Sequence, residues 1–324
     1  MSQYAIPLNK ITAELFQEFG GKGANLGELI RAGFNVPVGF CIKSDAYHYL
    51  IESNDLGGQI SEIAKAFDFG NLKDLEEKTS LIRSLIINAQ IPRGLEEAII
   101  QSYRELQALS GKELLVAIRS SVAVQGTSIS SFPGMMDTFH YIRGSDQILH
   151  GIKKCWASVW TARATFARHQ KRVDHFLALI APVVQEMVDS EVAGVMFTIN
   201  PITGSRDEIL IESNWGLGET VVSGRAANDI YLLDKATLST KMSTIVKKPQ
   251  MIVYDRDTGM GSEQIPVPPE KVQQPTLTDS MLKELAMTGL QIETHYRIPQ
   301  DIEWAYSAGR LFILQSRTAR GYQA

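Results

Sequence analysis

Residues 300–320 read QDIEWAYSAGRLFILQSRTAR, and they carry the strongest fold signal in the chain. Two runs rich in apolar, aromatic and β-branched residues lie on either side of the tetrapeptide SAGR at 307–310. Such runs, joined by a short turn that contains glycine, predict an antiparallel β-hairpin. The hairpin in turn determines which of its side chains lie together.

Four polar side chains are predicted to lie on one face of this hairpin. Asp301 and Glu303 are two residues apart, as are Gln315 and Arg317, and residues two apart in a strand point to the same side. Two carboxylates, an amide and a guanidinium suit a hard cation that bridges phosphate oxygens, with the arginine beside it. An exposed polar strand face with a surface ion pair has the same pattern, so the spacing alone leaves both interpretations open.

The composition of the whole chain excludes several classes of protein. Its 324 residues predict two packed lobes, or two domains that share a cleft. A content of 44% hydrophobic and 21% charged residues excludes a disordered or collagen-like chain. A net charge of −4 disfavours a general binder of nucleic acid or of anionic membranes. Cys41 and Cys155 form no CxxC pair, and the sequence has neither a basic leader nor an apolar run of about 18 residues. We therefore expect a cytoplasmic protein.

Hydrophobic periodicity predicts a mixture of helices and strands, an α+β fold. In the helix expected at 148–172, Trp156 and Trp160 should lie in the core, whereas Arg163, Arg168, Lys171 and Arg172 should be more exposed. The other predicted helices lie at 24–32, within a segment of about 45–110, and at 277–296. Runs typical of strands lie at 36–42, 114–119, 178–187, 194–198, 208–212 and 228–256, and a surface loop is expected at 257–275.

Two further segments have the residue types of a phosphate site. Arg119 ends a predicted strand, and a loop rich in Ser, Gly and Thr is expected over 119–138. Backbone N–H groups in such loops can hold phosphate oxygens, and long loops in globular chains are uncommon unless they function. Lys22 lies between glycines in GGKG, where the backbone can approach a ligand closely. Neither segment is a Walker A loop, because no GxxxxGK[ST] motif occurs. A flexible connector therefore remains the alternative for the loop, and a solvated lysine in a turn remains the alternative for Lys22.

The remaining local patterns are weaker. The end of the predicted strand at 185–188 offers backbone atoms to an adenine edge, with Met187 against the ring, although an ordinary strand end looks the same. Gly216 and Gly218 follow a strand, but no third glycine completes GxGxxG, which argues against a dinucleotide-dependent oxidoreductase.

Six segments, taken in order, resemble a single family. They are GGKGANLGELIRAGFNVPVGF (20–40), VAIRSS (116–121), SFPGMMDTF (131–139), CWASVWTARA (155–164), GLGETVVSGR (216–225) and the hairpin (300–320). The chain resembles the ATP-grasp nucleotide-binding domain of the phosphoenolpyruvate synthase and pyruvate phosphate dikinase family, which includes rifampin phosphotransferases and phenylphosphate synthases. The likeness covers essentially the whole chain.

The resemblance implies an ATP-grasp fold of two lobes, residues 1–184 and 185–324, with the nucleotide in the cleft between them. The first lobe would contain the helical segment 45–110 and the phosphate loop 119–138, and the second would carry the metal-binding hairpin. ATP and Mg²⁺ are the cofactors that this implies.

The resemblance also implies roles for particular side chains. Lys22 and Arg119 would contact the ATP phosphates, and Arg317 would stabilise the phosphate that is transferred. Glu303 and Gln315 would bind Mg²⁺, with Asp301 close by. Two further groups would contact ATP, one in a loop over the phosphates and one at the adenine: Gly134, Met135, Asp137 and Thr138, then Gln185, Glu186, Met187 and Val188.

In this family, the domain passes the pyrophosphoryl group of ATP to a histidine on a separate swivelling domain, and AMP leaves. The histidine later phosphorylates pyruvate, a phenol or another hydroxyl compound at a third site. No such domain follows Arg317 in this sequence. We therefore expect a dikinase-type phosphotransferase subunit that acts on partner domains, as in a split phenylphosphate synthase, or a part of a longer chain. An ATP-binding regulatory module without transfer activity is the alternative.

Overall fold

The computed structural model describes residues 4–111, 114–124, 138–222, 224, 227–259 and 261–319. The fold is the α+β, ATP-grasp type, and the chain divides into two compact units. The first unit is Met1–Glu28 with Val38–Met187, and the second is Leu29–Pro37 with Val188–Ala324. The division after Met187 lies three residues beyond the predicted boundary, and no pattern in the sequence predicted that residues 29–37 belong to the second unit.

The first unit is built on a five-stranded antiparallel sheet. Its strands are β1 (Ala5–Pro7), β2 (Gly39–Ile42), β3 (Val116–Val124), β4 (Thr138–Ile142) and β5 (Ala178–Glu186), in the order β1-β2-β5-β3-β4. Alternate residues of β3 and β5, among them Val116, Ile118 and Val184, are fully buried in the main core. The residues between them, such as Arg119, point to the other face of the sheet.

The helices of this part of the chain are α1 (Phe16–Arg31), α2 (Asp45–Ser53), α3 (Gly57–Lys65), α4 (Leu72–Asn88), α5 (Arg93–Ser110), α6 (Ser145–Ala157) and α7 (Ala162–Gln170). Residues of α2 to α6 pack into that core. In α5, for example, Leu95, Ile99, Tyr103 and Leu106 recur at helical spacing and are buried. The helix ends at Gly111, which has the left-handed conformation that glycine adopts at low cost.

The predicted helix at 148–172 is wrong as a single element. A short 3-10 turn at Ser158–Trp160 separates α6 from α7, and Thr161 begins α7 by accepting a hydrogen bond from the amide of Ala164 at 3.3 Å. The expectation that Arg168 is exposed is also wrong, because its side chain is fully buried. Its guanidinium lies 5.5 Å from the Trp160 ring centroid and donates from Nε to Nδ1 of His175 at 3.2 Å. Burial and the nearby Arg168 charge lower the pKa of His175 to about 4, so this imidazole stays neutral and accepts.

The second unit contains a six-stranded antiparallel sheet and a separate hairpin. Its strands are β6 (Val192–Phe197), β7 (Glu208–Trp215), β8 (Asp229–Asp234), β9 (Thr240–Thr244), β10 (Gln250–Tyr254), β11 (Ser262–Pro266), β12 (Gln300–Ser307) and β13 (Arg310–Thr318). The large sheet has the order β13-β12-β6-β7-β8-β9, and β10 and β11 form a separate two-stranded sheet. The surface loop predicted at 257–275 is therefore partly wrong, since β11 lies within it.

One face of the large sheet is covered by a helix. Besides the short α8 (Glu219–Val222), this unit has α9 (Asp279–Tyr296), which packs so closely that a Cβ on Gly289 would lie 2.4 Å from Cε of Met196. On the same face, the Tyr306 hydroxyl donates to the Glu284 carboxylate at 2.9 Å and Trp304 is fully buried. The residues of β12 that alternate with these point to the opposite face. Within the described ranges, no helix is long and apolar enough to cross a membrane.

Candidate functional site

Three of the predicted ATP contacts meet on the sheet of the first unit. Arg119 in β3 lies opposite Thr138 in β4, and Gln185 in β5 lies opposite Ala117, two residues before Arg119. Arg119, Thr138 and Gln185 therefore share one face. Nη1 of Arg119 donates to Oε1 of the buried Gln185 at 3.3 Å, which orients the guanidinium along the sheet.

The phosphate loop predicted at 119–138 is wrong at both ends. Residues 119–124 continue β3, and Thr138 is the first residue of β4. The Ser residues after Arg119 extend the strand because they pair in register with β5 as far as Val124. The predicted contacts Gly134, Met135 and Asp137 lie outside the described residues.

Lys22 lies just after an irregularity in α1. The helix is interrupted at Gly20, whose backbone has φ 67° and ψ 174°, and Lys22 belongs to the turn that restarts it. The backbone amides of Lys22 and Gly23 both donate to the hydroxyl of Ser121 in β3. The lysine is thereby held on the strand that also carries Arg119.

The segment predicted at the adenine runs from the end of β5 into the second unit. The amide of Glu186 donates to the carbonyl of Val38 at 2.8 Å, and that of Met187 donates to the carbonyl of Leu115 at 2.9 Å. These two N–H groups are thus engaged within the first unit. An adenine edge at this position would use other backbone atoms of the segment, whose last predicted contact, Val188, belongs to the second unit.

The four polar residues of the terminal hairpin lie on one face, directly opposite one another. Asp301 pairs in register with Arg317, and Glu303 pairs with Gln315. Nε and Nη2 of Arg317 are each 2.8 Å from the same oxygen, Oδ2 of Asp301. The Asp301 side chain is only 7% exposed, whereas that of Arg317 is 44% exposed. The guanidinium is consequently fixed by one carboxylate oxygen but remains open to a ligand.

The same face extends across the sheet to a third carboxylate that sequence reasoning did not assign. Glu303 pairs with Val195 in β6, and Val195 pairs with Glu212 in β7. Asn228 donates to Glu212 at 3.4 Å. In the sequence, the one signal for the position of Glu212 on this face is the alternation of the run at 208–212, which has Glu at both ends.

The donor set of the hairpin fits Mg²⁺. Glu303 offers carboxylate oxygens and Gln315 an amide oxygen, and Mg²⁺ is commonly held by one or two carboxylates together with substrate phosphates. Among the residues that the structure describes, no three His, Cys, Asp or Glu side chains form a metal-binding group. A cation on this face would therefore complete its coordination with water or phosphate oxygens.

Comparison with known proteins gives a consistent result. A family model described as "Pyruvate phosphate dikinase, AMP/ATP-binding domain" matches residues 16–323. A phosphoenolpyruvate synthase of Pyrococcus furiosus is 41% identical over 337 aligned residues, which cover 92% of this chain and 41% of that protein. A probable phosphoenolpyruvate synthase of Methanothermobacter thermautotrophicus is 42% identical over 92% of this chain and 43% of its own length. The chain thus spans about two fifths of the length of these two relatives.

Proposed function

Because the chain belongs to the family of pyruvate phosphate dikinase AMP/ATP-binding domains, we propose that it is the ATP-binding part of a dikinase-type phosphotransferase. It binds Mg-ATP and passes the pyrophosphoryl group to a histidine on a separate swivelling domain or partner subunit, releasing AMP. An acceptor-binding domain or subunit then uses the phosphohistidine. The relatives are named phosphoenolpyruvate synthases and are more than twice as long as the aligned part, which leaves room for such domains.

The observation that carries this proposal is the face of the terminal hairpin. It presents a guanidinium that is 44% exposed beside Glu303 and Gln315. Phosphoryl transfer needs positioning and neutralisation of charge more than it needs a covalent nucleophile on the enzyme. The hairpin offers these two properties.

In the proposed step, a nitrogen of the acceptor histidine attacks the β-phosphorus of ATP. The bond between this phosphorus and the oxygen that bridges to the α-phosphate breaks, AMP keeps the electron pair, and the imidazole proton passes to solvent. Lys22 and Arg119 hold phosphate oxygens, and Arg317 stabilises the charge on the group in transfer. Glu303 and Gln315 would hold Mg²⁺, which neutralises phosphate charge when bound.

Analysis of the nucleotide products tests this function. The chain is incubated with Mg-ATP alone, and then with the part of a phosphoenolpyruvate synthase relative that lies outside the matched region. AMP that forms only with the partner supports the proposal. ADP as the product would contradict it, and tight ATP binding without turnover would support a regulatory ATP-binding module instead.

Replacing Arg317 tests its role in the same assay. Arg317→Ala should lower the rate of AMP formation roughly 10³-fold or more, the scale found for an arginine that stabilises a transferring phosphoryl group. Arg310→Ala is the matched control, because it removes the same charge from the same strand. The guanidinium of Arg310 packs over the ring of Phe312. Equal AMP formation by the two variants would remove Arg317 from the catalytic set.

A further inference from the structure

A single buried hydroxyl organises the turn that carries Lys22. Oγ of Ser121 donates to the carbonyl of Phe19 at 2.7 Å and accepts from the amides of Lys22 and Gly23 at 3.0 and 3.1 Å. A serine hydroxyl has one donor and two acceptor positions, so these three bonds use its full capacity. Ser121 is 1% exposed, and its bonds with Phe19 and Gly23 are buried, whereas the bond from the Lys22 amide is partly buried.

The interruption of α1 explains why the turn needs such a partner. Where a helix restarts, its first N–H groups have no acceptor in the preceding turn. Here the break is at Gly20, and the amides of Lys22 and Gly23 are among the first after it. Ser121 satisfies them as a capping serine would, although it comes from a strand about a hundred residues later. The same hydroxyl donates to the carbonyl of Phe19, which lies before the break.

The fit between the turn and β3 is close enough to require glycine at the break. A Cβ added to Gly20 would lie 2.4 Å from Oγ of Ser121 and 2.6 Å from the carbonyl oxygen of Val122. Gly20 also has a positive φ of 67°, which L-residues rarely adopt. The backbone before Lys22 is therefore held in one position against β3.

We propose that Ser121 is a positioning residue for Lys22. Ser121 and Arg119 are two residues apart on β3 and so lie on the same face. The hydroxyl ties the backbone of Lys22 to the strand that carries Arg119, which fixes the two cations relative to one another before ATP binds. This inference rests on the proposed function, in which both cations contact the ATP phosphates.

A double-mutant cycle on ATP affinity tests this coupling. Ser121→Ala should weaken Mg-ATP binding about tenfold, within the range of residues that act in one network. In the background of Lys22→Ala, the same change should have less than a twofold effect, because the side chain that it positions is gone. A purely structural role would instead weaken binding by the same factor in both backgrounds, and that result would overturn the proposal.

Two further variants keep the result interpretable. Ser120→Ala removes the neighbouring buried hydroxyl, which lies on the opposite face of β3. Its effect on Mg-ATP affinity should be the same with Lys22 and with Lys22→Ala. If Ser121→Ala does not fold, Ser121→Cys replaces it, since a thiol keeps the volume but donates and accepts weakly. Ser121→Cys should weaken ATP binding when the wild-type Lys22 is present, and should not weaken it further when it is combined with Lys22→Ala.

The cycle also separates this inference from the proposed function. If Lys22→Ala alone leaves Mg-ATP affinity unchanged, the role of Lys22 in the proposed function fails. If Lys22→Ala weakens binding, but Ser121→Ala weakens it by the same factor with or without Lys22, the two effects are independent. The proposed function then stands, and the positioning role of Ser121 fails.

Discussion

Two pairs of an aspartate with a basic side chain, both in the described part of the second unit, differ in burial. Asp229 and Lys248 are both fully buried, with Nζ of Lys248 2.6 Å from Oδ1 of Asp229. Oδ1 also accepts from the amide of Val246, and Oδ2 accepts from the amide and the hydroxyl of Thr276, all at 2.9 to 3.0 Å. Every oxygen position of this carboxylate has a partner from the surrounding backbone or side chains.

Asp301 and Arg317, in the terminal hairpin, form the contrasting pair. Nε and Nη2 of the guanidinium approach one carboxylate oxygen, and more than two fifths of the arginine side chain is exposed. An arginine held in this way can add a phosphate partner without leaving its carboxylate, because the guanidinium has five N–H donors.

The difference indicates which charges maintain the fold and which are available for chemistry. Breaking a buried pair leaves an uncompensated charge in the interior, so Asp229 and Lys248 should matter for stability. The hairpin pair should contribute little to stability and much to ligand binding, because water reaches Arg317. Three substitutions test this division.

The largest change in stability is expected from Asp229→Ala. It leaves Lys248 buried without its carboxylate and removes the acceptor for two amides and a hydroxyl. The free energy of unfolding should fall by about 3–5 kcal/mol, the scale for removal of one partner from a buried pair. Urea denaturation followed by tryptophan fluorescence measures it. A loss below about 1 kcal/mol would show that the interior tolerates the lysine alone, and the comparison would fail.

In the hairpin, Glu303→Ala should have little effect on stability and a large effect on ligand binding. The free energy of unfolding should change by no more than about 1 kcal/mol, because Glu303 is half-buried rather than fully buried. Mg-ATP affinity should fall roughly 10- to 100-fold, which corresponds to the loss of one interaction with a charged group. Calorimetric titration at several Mg²⁺ concentrations measures the affinity. Glu208→Ala is the control, because Glu208 lies on the same sheet but pairs with Lys241. A Glu303 variant with unchanged Mg-ATP affinity would exclude this carboxylate from the metal site.

The smallest effect is expected from Asp189→Ala. Asp189 is 3.4 Å from Arg256, and the two side chains are 69% and 77% exposed. Exposed pairs contribute about 0.2–1 kcal/mol, and high salt screens them further. Denaturation of this variant at low and high salt should therefore give nearly the wild-type curve. A loss comparable to that of Asp229→Ala would mean that burial does not separate the two classes of pair.

The terminal hairpin was predictable because its information is local. Two alternating runs and a short turn predict that Asp301, Glu303, Gln315 and Arg317 share a face. The register of β12 and β13 adds that Asp301 lies opposite Arg317 and Glu303 opposite Gln315. The family followed from six motifs, and the comparisons confirm it. The roles of the individual side chains stay predictions.

The errors came from side-chain contacts that hydrophobic periodicity does not encode. Arg168 has the charge of a surface residue, but Trp160 and the neutral His175 give its guanidinium partners in the interior. Thr161 interrupts the predicted helix because its side chain caps α7. Ser121 follows Arg119 within a recognised motif, yet its role depends on Gly20 and Lys22, which only the fold brings next to it.

The assignment of residues 29–37 to the second unit has a consequence for how this protein can change in evolution. The polypeptide passes between the units three times, after Glu28, after Pro37 and after Met187. The carbonyl of Asn35 accepts from the amide of Ile313, and its side chain donates to the carbonyl of Leu311. A gene fragment that encodes only residues 188–324 would thus lack a segment of its own fold. Recombination that transfers the second unit to another gene would have to carry residues 29–37 together with 188–324.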